Sequence, residues 1–437
     1  MILIMIESQW GSGMDKIIIE GGRRLKGSVE ISGSKNASLP CLFATLLTDE
    51  PCTLNNVPEL NDIDTTCKLL EHLGKKVERK DHSIQVTSRK PLKTEAPYEL
   101  VKRMRASVLV LGPLLARFGK ASCSMPGGCA IGVRPINIHL SSFQALGAET
   151  EFSQGMVRLK SNGLKGKKIV LDFPSVGATE NALMACVLAK GQTILENVAK
   201  EPEIEDCAKF LNAMGAEIKG AGTSKIVVQG KDFLHGATHQ VIPDRIETAT
   251  YLIASAATKG EVELSHTYPK HLKVIINHLI KAGIKIQIKE DKLNREYATI
   301  FCKVQKAIKP VYIKTGPYPK FPTDVQAQWM SLMSLADGNS LIQETIFENR
   351  FVHAAELGRM GAKIKIKGNQ AKVSGSGRLS GAEVMVSDLR AGAALVIAAL
   401  AAKGKSVIQR VYHLDRGYEK LEQKLSRLGA RIYRVHG

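Results

Sequence analysis

Met214-Gly215-Ala216-Glu217-Ile218 is one of six versions of a single phrase in this chain of 437 residues. The others are Leu73-Gly74-Lys75-Lys76-Val77, Leu146-Gly147-Ala148-Glu149-Thr150, Ala282-Gly283-Ile284-Lys285-Ile286, Met360-Gly361-Ala362-Lys363-Ile364 and Leu428-Gly429-Ala430-Arg431-Ile432, and their glycines stand 73, 68, 68, 78 and 68 residues apart. Self-similarity at a nearly fixed period marks a repeated supersecondary unit. Each phrase follows an amphipathic stretch such as 206–214 or 419–428. The glycine therefore reads as a helix C-cap, and the alternation after it starts a strand.

Upstream of each phrase lies a small-residue apolar helix: Ala37–Leu47, Ala106–Phe118, Thr179–Ala189, Ile246–Thr258, Val325–Ala336 and Arg390–Ala402. Such helices are apolar most of the way round and predict burial, whereas the second helix of each unit keeps a charged face. Each unit is thus about 70 residues of β-α-β-α-β-β character. A unit with its own sheet and two helices is too thick for a thin solenoid. Six of them predict an α/β protein of two globular domains, three units in each.

The composition is that of a globular chain, 44% hydrophobic and 24% charged. No apolar run approaches the roughly 20 residues that span a bilayer. Met1–Ile6 is short and lacks a preceding basic segment, so it is not read as a signal peptide. Met14 offers an alternative start, which makes residues 1–13 a dispensable tail. Cys41, Cys52, Cys67, Cys123, Cys129, Cys186, Cys207 and Cys302 form no Cys-x-x-Cys and no zinc-type spacing with histidine. The expectation is a reducing, cytoplasmic setting with free thiols and no structural metal.

A net charge of +19 points to anionic partners. The lysines are dispersed and aromatic residues make up only 5% of the chain, which leaves stacking on single-stranded nucleic acid poorly supported. Neither a phosphate-binding G-x-x-x-x-G-K-[ST] loop nor a dinucleotide fingerprint is present. Any phosphate must be held by arginines and helix ends.

The most chemical stretch is Pro126-Gly127-Gly128-Cys129-Ala130-Ile131-Gly132-Val133-Arg134-Pro135. Three glycines and two prolines in ten residues exclude a helix or a regular strand and read as a mobile loop. Its cysteine has an arginine five residues on, the setting that favours a thiolate. Lys35-Asn36 follows Gly33-Ser34 and opens the first apolar helix, as an anion site or as a solvated lysine beside a serine cap. Arg105, Arg134, Arg350, Arg390 and Arg416 suit bidentate recognition of phosphate or carboxylate, or structural ion pairs, which Asp415-Arg416 especially invites. Asp324, ahead of another apolar helix, is a chemical carboxylate or a plain N-cap.

Together these segments resemble the enolpyruvyl transferases that act on UDP-N-acetylglucosamine. The match runs from about Ile17 to Val435. It rests on Gly33-Ser34-Lys35-Asn36-Ala37, Met104-Arg105-Ala106-Ser107, Pro126–Gly132, Ser175-Val176-Gly177-Ala178-Thr179-Glu180-Asn181, Phe321-Pro322-Thr323-Asp324, Phe347-Glu348-Asn349-Arg350-Phe351, Asp388-Leu389-Arg390-Ala391 and Asp415-Arg416-Gly417-Tyr418. The sibling 5-enolpyruvylshikimate-3-phosphate synthase should show Asn-Ala-Gly-Thr where this chain has Lys102-Arg103-Met104-Arg105-Ala106-Ser107, and it lacks the cysteine loop.

The resemblance implies a two-domain inside-out α/β barrel. A hinge is expected near Ser34-Lys35 and Ile242-Pro243, with residues 1–34 packing on the C-terminal domain, 35–242 a continuous domain that carries the cysteine loop, and 243–437 the second set of repeats. It implies transfer of the enolpyruvyl group of phosphoenolpyruvate to the 3'-hydroxyl of UDP-N-acetylglucosamine by addition and elimination, with release of phosphate. This is the first committed step of peptidoglycan synthesis. No cofactor or metal, no specific nucleic acid and no membrane partner are implied.

In that resemblance Cys129 is the proton donor, forms a covalent phosphoenolpyruvate adduct and is alkylated by fosfomycin. Asp324 is the general base, and Lys35, Arg134 and Arg416 balance the donor's charge, with Arg105 and Arg390 nearby. Asn36, Arg350 and Asp388 match further substrate-binding positions. Arg134-Pro135-Ile136-Asn137-Ile138 and Ser175-Val176-Gly177 match the nucleotide contacts, and Ile346 matches a backbone contact. The family commonly has aspartate where this chain has Asn137; an amide oxygen still accepts from the uracil N–H, without charge.

Overall fold

The computed structural model describes residues 15–88, 91–102, 104–125 and 136–436. Each of the six phrases closes a helix. Gly74, Gly147, Gly215, Gly283, Gly361 and Gly429 have φ between 85° and 105°, a conformation that costs glycine nothing. In five of the six the following N–H reaches back five residues, as Ala216 does to the Leu211 carbonyl and Ala430 to that of Leu425. This Schellman arrangement pairs carbonyls that the helix end would orphan.

The chain then turns into a sheet. Among the described residues there are six four-stranded sheets, each with one parallel and two antiparallel pairings. In five of them the strand after the phrase forms a hairpin with its successor, as Lys363–Lys367 does with Gln370–Ser374. The sixth has no successor. Its strand, Arg431–Val435, pairs instead with Lys16–Glu20 from the other end of the chain, which also pairs with Lys405–Gln409. Lys26–Glu30 likewise runs parallel to Glu261–Thr267, and Thr238–Gln240 closes the first sheet by running parallel to Cys52–Asn55.

Inside the sheets stand the inner helices Lys35–Ala44, Leu111–Phe118, Val176–Cys186, Arg245–Ala257, Thr323–Ser334 and Leu389–Ala401. The last three pack on one another, Val176–Cys186 packs against both Leu111–Phe118 and Lys35–Ala44, and every residue from Arg245 to Ala257 is buried. Buried apolar side chains accordingly form two clusters, one around Phe43, Leu111 and Phe210, the other around Tyr251, Trp329 and Leu395. Helices within and sheets without are the inside-out arrangement expected.

The stretch 106–118 differs from expectation. Arg105–Val110 is a 3₁₀ turn and the α-helix starts only at Leu111. Asn181 inserts its amide here: its Oδ1 accepts from the Gly112 N–H at 2.7 Å and its Nδ2 donates to the Val108 carbonyl at 2.9 Å. An uninterrupted α-helix would join those two groups directly. Pro113 next in line also lacks an N–H for the ladder.

The chain passes between the two bodies twice, side by side. Gly33 pairs with Pro243, the Ser34 N–H donates to the Ile242 carbonyl at 2.8 Å, and the Asp244 N–H donates to that of Ser32 at 2.9 Å. A Cβ on Gly33 would lie 1.6 Å from the Asn56 carbonyl oxygen, so no other residue fits that crossing.

Candidate active site

Several candidate residues stand in the first turn of an inner helix. Ser34 caps the helix that begins Lys35-Asn36, with its side chain accepting from the Ala37 N–H. Ser175 caps Val176–Cys186 in the same way, and Asp388 caps Leu389–Ala401 through the Arg390 and Ala391 N–H groups. Asp324 is not an N-cap. Pro322 holds that position and Asp324 is the second helical residue, which leaves its carboxylate available for other partners.

Those partners are two arginines. Arg350 Nη2 donates to Asp324 Oδ1 and Arg390 Nη2 to Oδ2, both at 3.0 Å. Arg350 and Arg390 are buried, and Arg390 lies 5.5 Å over the Tyr418 ring. Burial alone would push the Asp324 carboxyl up. Arg390, Arg350 and Lys35 outweigh it and hold the group well below the usual carboxylate range. Gln328, one turn on, donates to the Asp324 carbonyl at 2.9 Å and to the Tyr418 hydroxyl at 3.1 Å, which ties this helix to the segment bearing Arg416.

A second ion-pair group meets the first. Asp62 accepts from Arg416 Nε at 2.8 Å and from Lys35 Nζ at 3.3 Å. Lys35 is only 9% exposed; burial lowers its pKa, Asp62 opposes this, and the positive charges of Arg390 and Arg416 add to the lowering. Arg416 does not pair with its neighbour Asp415, which is engaged by Arg434 at 2.6 Å. Asp62 went unnoticed in the sequence. Its signal was there: it shares the apolar stripe of Asn61–His72 with Ile63, Thr66, Leu69 and Leu70, where a carboxylate is out of place.

The whole is a concentration of cations, Lys35, Arg350, Arg390 and Arg416, around two carboxylates drawn from both halves of the chain. Such a site suits a small molecule with more than one negative charge. No helix among the described residues is long and apolar enough to cross a membrane.

Known proteins share this plan. A sequence model of the family EPSP synthase (3-phosphoshikimate 1-carboxyvinyltransferase) matches residues 19–425. The chain is 54% identical over 424 residues to the UDP-N-acetylglucosamine 1-carboxyvinyltransferase of Endomicrobium trichonymphae, covering 97% of this chain and 100% of that one. It is 53% identical over 423 residues to the protein of the same name from Lawsonia intracellularis, with the same coverage. The chain belongs to the UDP-N-acetylglucosamine 1-carboxyvinyltransferase family. Solved structures agree on the fold of these enolpyruvyl transferases. NikO from Streptomyces tendae matches with a TM-score of 0.86 at 24% identity, and EPSP synthase from Acinetobacter baumannii with 0.77 at 18%, each over 97% of this chain and 100% of its own.

Of the residues that this family likeness singles out, Lys35, Asp324, Arg350, Arg390 and Arg416 converge as described. Asn36 follows Lys35 and is half-buried, as is Asp388, whose Oδ2 accepts from Ser387. The nucleotide candidates form a second group. Ile136 is the N-cap of Asn137–Ala145, so Asn137 is its exposed first residue and Ile138 follows half-buried. His139 on that helix meets Asn181 at 3.0 Å and stands 3.4 Å from where a Gly177 side chain would begin, which brings Ser175-Val176-Gly177 against Ile136-Asn137-Ile138. Arg105 is close enough to His139 to lower its pKa, after burial, to about 4. Ile346 sits in a turn held by Glu344, which accepts its N–H at 2.7 Å. Cys129, Arg134 and Pro135 lie outside the described residues.

Proposed function

We propose that this enolpyruvyl transferase passes the enolpyruvyl group of phosphoenolpyruvate to the 3'-hydroxyl of UDP-N-acetylglucosamine, in the cytoplasm and with release of phosphate. The observation that carries the reading is the Arg350–Asp324–Arg390 group beside Lys35. It offers cations for a phosphate and a carboxylate, with a carboxylate base among them. Identity of 54% to a relative named for this acceptor supports the choice of sugar nucleotide over shikimate-3-phosphate.

In the addition step the donor's methylene carbon gains a proton from Cys129, the hydroxyl oxygen bonds to C2, and Asp324 takes the hydroxyl proton. In the elimination the resulting methyl group returns a proton to the Cys129 thiolate, the carbon–carbon double bond reforms, and the C2–O bond to phosphate breaks with its electron pair leaving on the phosphate. A carboxylate held by two guanidiniums is a weak base for a hydroxyl. Binding of the anionic donor draws Arg350 and Arg390 to its own oxygens, and the basicity of Asp324 rises as they turn. Lys35 and Arg416 offset the phosphate's charge, while Asn36, Arg105, Arg134 and Asp388 hold the substrates. Pro135, Ile136, Asn137, Ile138, Ser175, Val176, Gly177 and Ile346 seat the nucleotide.

Residues 35–242 form one domain, and 243–437 with the strands before residue 34 form the other. The paired crossings at Ser32-Gly33-Ser34 and Ile242-Pro243-Asp244 act as the hinge on which the domains close. Phosphate release from phosphoenolpyruvate, measured with UDP-N-acetylglucosamine and separately with shikimate-3-phosphate, tests the reading. Release with the sugar nucleotide alone is expected; release with shikimate-3-phosphate alone overturns the acceptor. For Asp324→Asn, turnover is expected to fall about 100- to 10,000-fold with nucleotide binding retained, and near-normal phosphate release refutes the base role.

A further inference from the structure

Away from the arginine cluster, the first body buries an unusual set of carboxyl groups. Glu180, Glu201, Glu203 and Asp206 are each 9% exposed or less. Arg245 pairs with Glu203 at 3.0 Å and lies close to Glu201. Among the described residues Asp206 pairs with no lysine or arginine. Its Oδ2 is buried and, among the described residues, accepts a hydrogen bond from nothing. His239 brings Nε2 to 3.1 Å from Asp206 Oδ1, yet that nitrogen makes no hydrogen bond of good geometry either. An unpaired carboxylate oxygen at this depth is costly.

The third member is a thiol. Cys41 on the inner helix Lys35–Ala44 is fully buried, and its Sγ, an Asp206 oxygen and a His239 nitrogen all lie within 4.8 Å of one another. Bond lengths of about 2.0–2.3 Å from a tetrahedral zinc ion put neighbouring ligands roughly 3–4 Å apart, so small side-chain adjustments suffice. Cys207, next to Asp206, is close enough to Cys41 to interact with its thiol, but its sulfur does not join the cluster of three ligand atoms. The His239 side chain keeps 10% of its surface exposed, which leaves a way in.

We propose that Cys41, Asp206 and His239 bind one borderline-soft divalent cation of the zinc type. Thiolate, imidazole and carboxylate are the donor set that such an ion prefers. The three come from the inner helix that starts at Lys35, the outer helix Pro202–Ala213 and the strand Thr238–Gln240. They are scattered along the sequence, which is why no ligand spacing announced them. The strand runs straight into the crossing at Ile242-Pro243, so the ion ties the helix bearing Lys35 to the segment that leaves this body. Its role is to brace the fold, and the reaction takes no step through it.

The test uses the full-length protein after treatment with a chelator. Titration with Zn²⁺, followed by calorimetry and by the melting temperature, should give one saturable site per chain and a rise in melting temperature. Co²⁺ in its place should give a thiolate-to-metal charge-transfer band. His239→Ala, at the edge of the site, and Cys41→Ser should weaken binding by at least the roughly 10- to 100-fold that even an outer-sphere partner is worth, and Cys41→Ser should remove the band. Absence of saturable binding overturns the proposal, as does binding of unchanged affinity in His239→Ala, which also covers the case in which Cys41→Ser fails to fold.

Discussion

Asp62 and Arg416 stand 354 positions apart in sequence and 2.8 Å apart in space, one in each body. Lys35, at the first crossing of the chain, joins the same carboxylate. The pair is therefore both a bridge between two distant parts of the chain and the anchor of two candidate site cations. Asp62→Asn keeps the shape and removes the charge. The expected result is a loss of about 1–3 kcal/mol of stability and a clear fall in kcat, as Lys35 and Arg416 lose their common anchor. Steady-state kinetics and thermal melting check it; unchanged kcat would show that Asp62 only holds the fold.

Asn181 replaces a backbone hydrogen bond with its own amide, between the Val108 carbonyl and the Gly112 N–H. Asn181→Ala leaves the Gly112 N–H buried without that partner, while the Val108 carbonyl keeps its bond from the Leu111 N–H. The expected cost is about 1–3 kcal/mol, read as a lowered denaturant midpoint. Because Asn181 also meets His139, the variant should bind the nucleotide more weakly as well.

Three histidines are held neutral mainly by burial, His139 and His353 with pKa values of about 4 and His271 of about 3. The unfolded chain protonates such groups near 6.5. Between about pH 6.5 and 4 the unfolded state thus binds protons that the native state does not, so stability rises with pH across this window and is lost as pH falls. Asp324 adds to the loss further down, since its depressed carboxyl stabilises the fold above the ordinary carboxylate range and ceases to do so in stronger acid. Glu180, Glu201 and Glu247, whose carboxyls burial raises, act in the opposite sense over this range, so the test is a difference: between pH 7 and 4 the melting temperature of His271→Asn should fall less than that of the wild type. An unchanged slope in the variant would contradict the assignment.

Burial pushes the thiols of Cys67, Cys123, Cys186 and Cys302 up to about 12 and raises those of Cys41 and Cys52 as well. Thiols so raised are poor nucleophiles at neutral pH. Cys207 is fully buried as well, so fosfomycin or iodoacetamide should modify the native protein once, at Cys129. Peptide mass mapping reads the site, and fast labelling of any other cysteine in the folded protein would refute it.

The six helices, the six glycine caps and the apolar faces could be read from the chain because they are local. A C-cap glycine and a 3.6-residue apolar period act within a few residues, and the structure has Gly215 and Gly429 in the conformation their context asked for. Local pattern failed where a distant side chain intervened. Nothing near Val108 tells of Asn181, and the split of that helix was not foreseen. Lys35, Asp324 and Arg390 could be named as candidates, but their local alternatives, solvated lysine, N-cap and structural ion pair, stayed open until they were seen together.

The order of elements, their repetition and the identity of the chemical groups were thus determined by the sequence itself. Which charge meets which was decided only by the tertiary structure. Asp415 turned to Arg434, leaving Arg416 to Asp62, and Lys16–Glu20 supplied the strand that the last repeat lacks. Helix caps and periodicity involve neighbours along the chain, whereas an ion pair depends on a separation of a few ångströms that only the packing of both bodies defines.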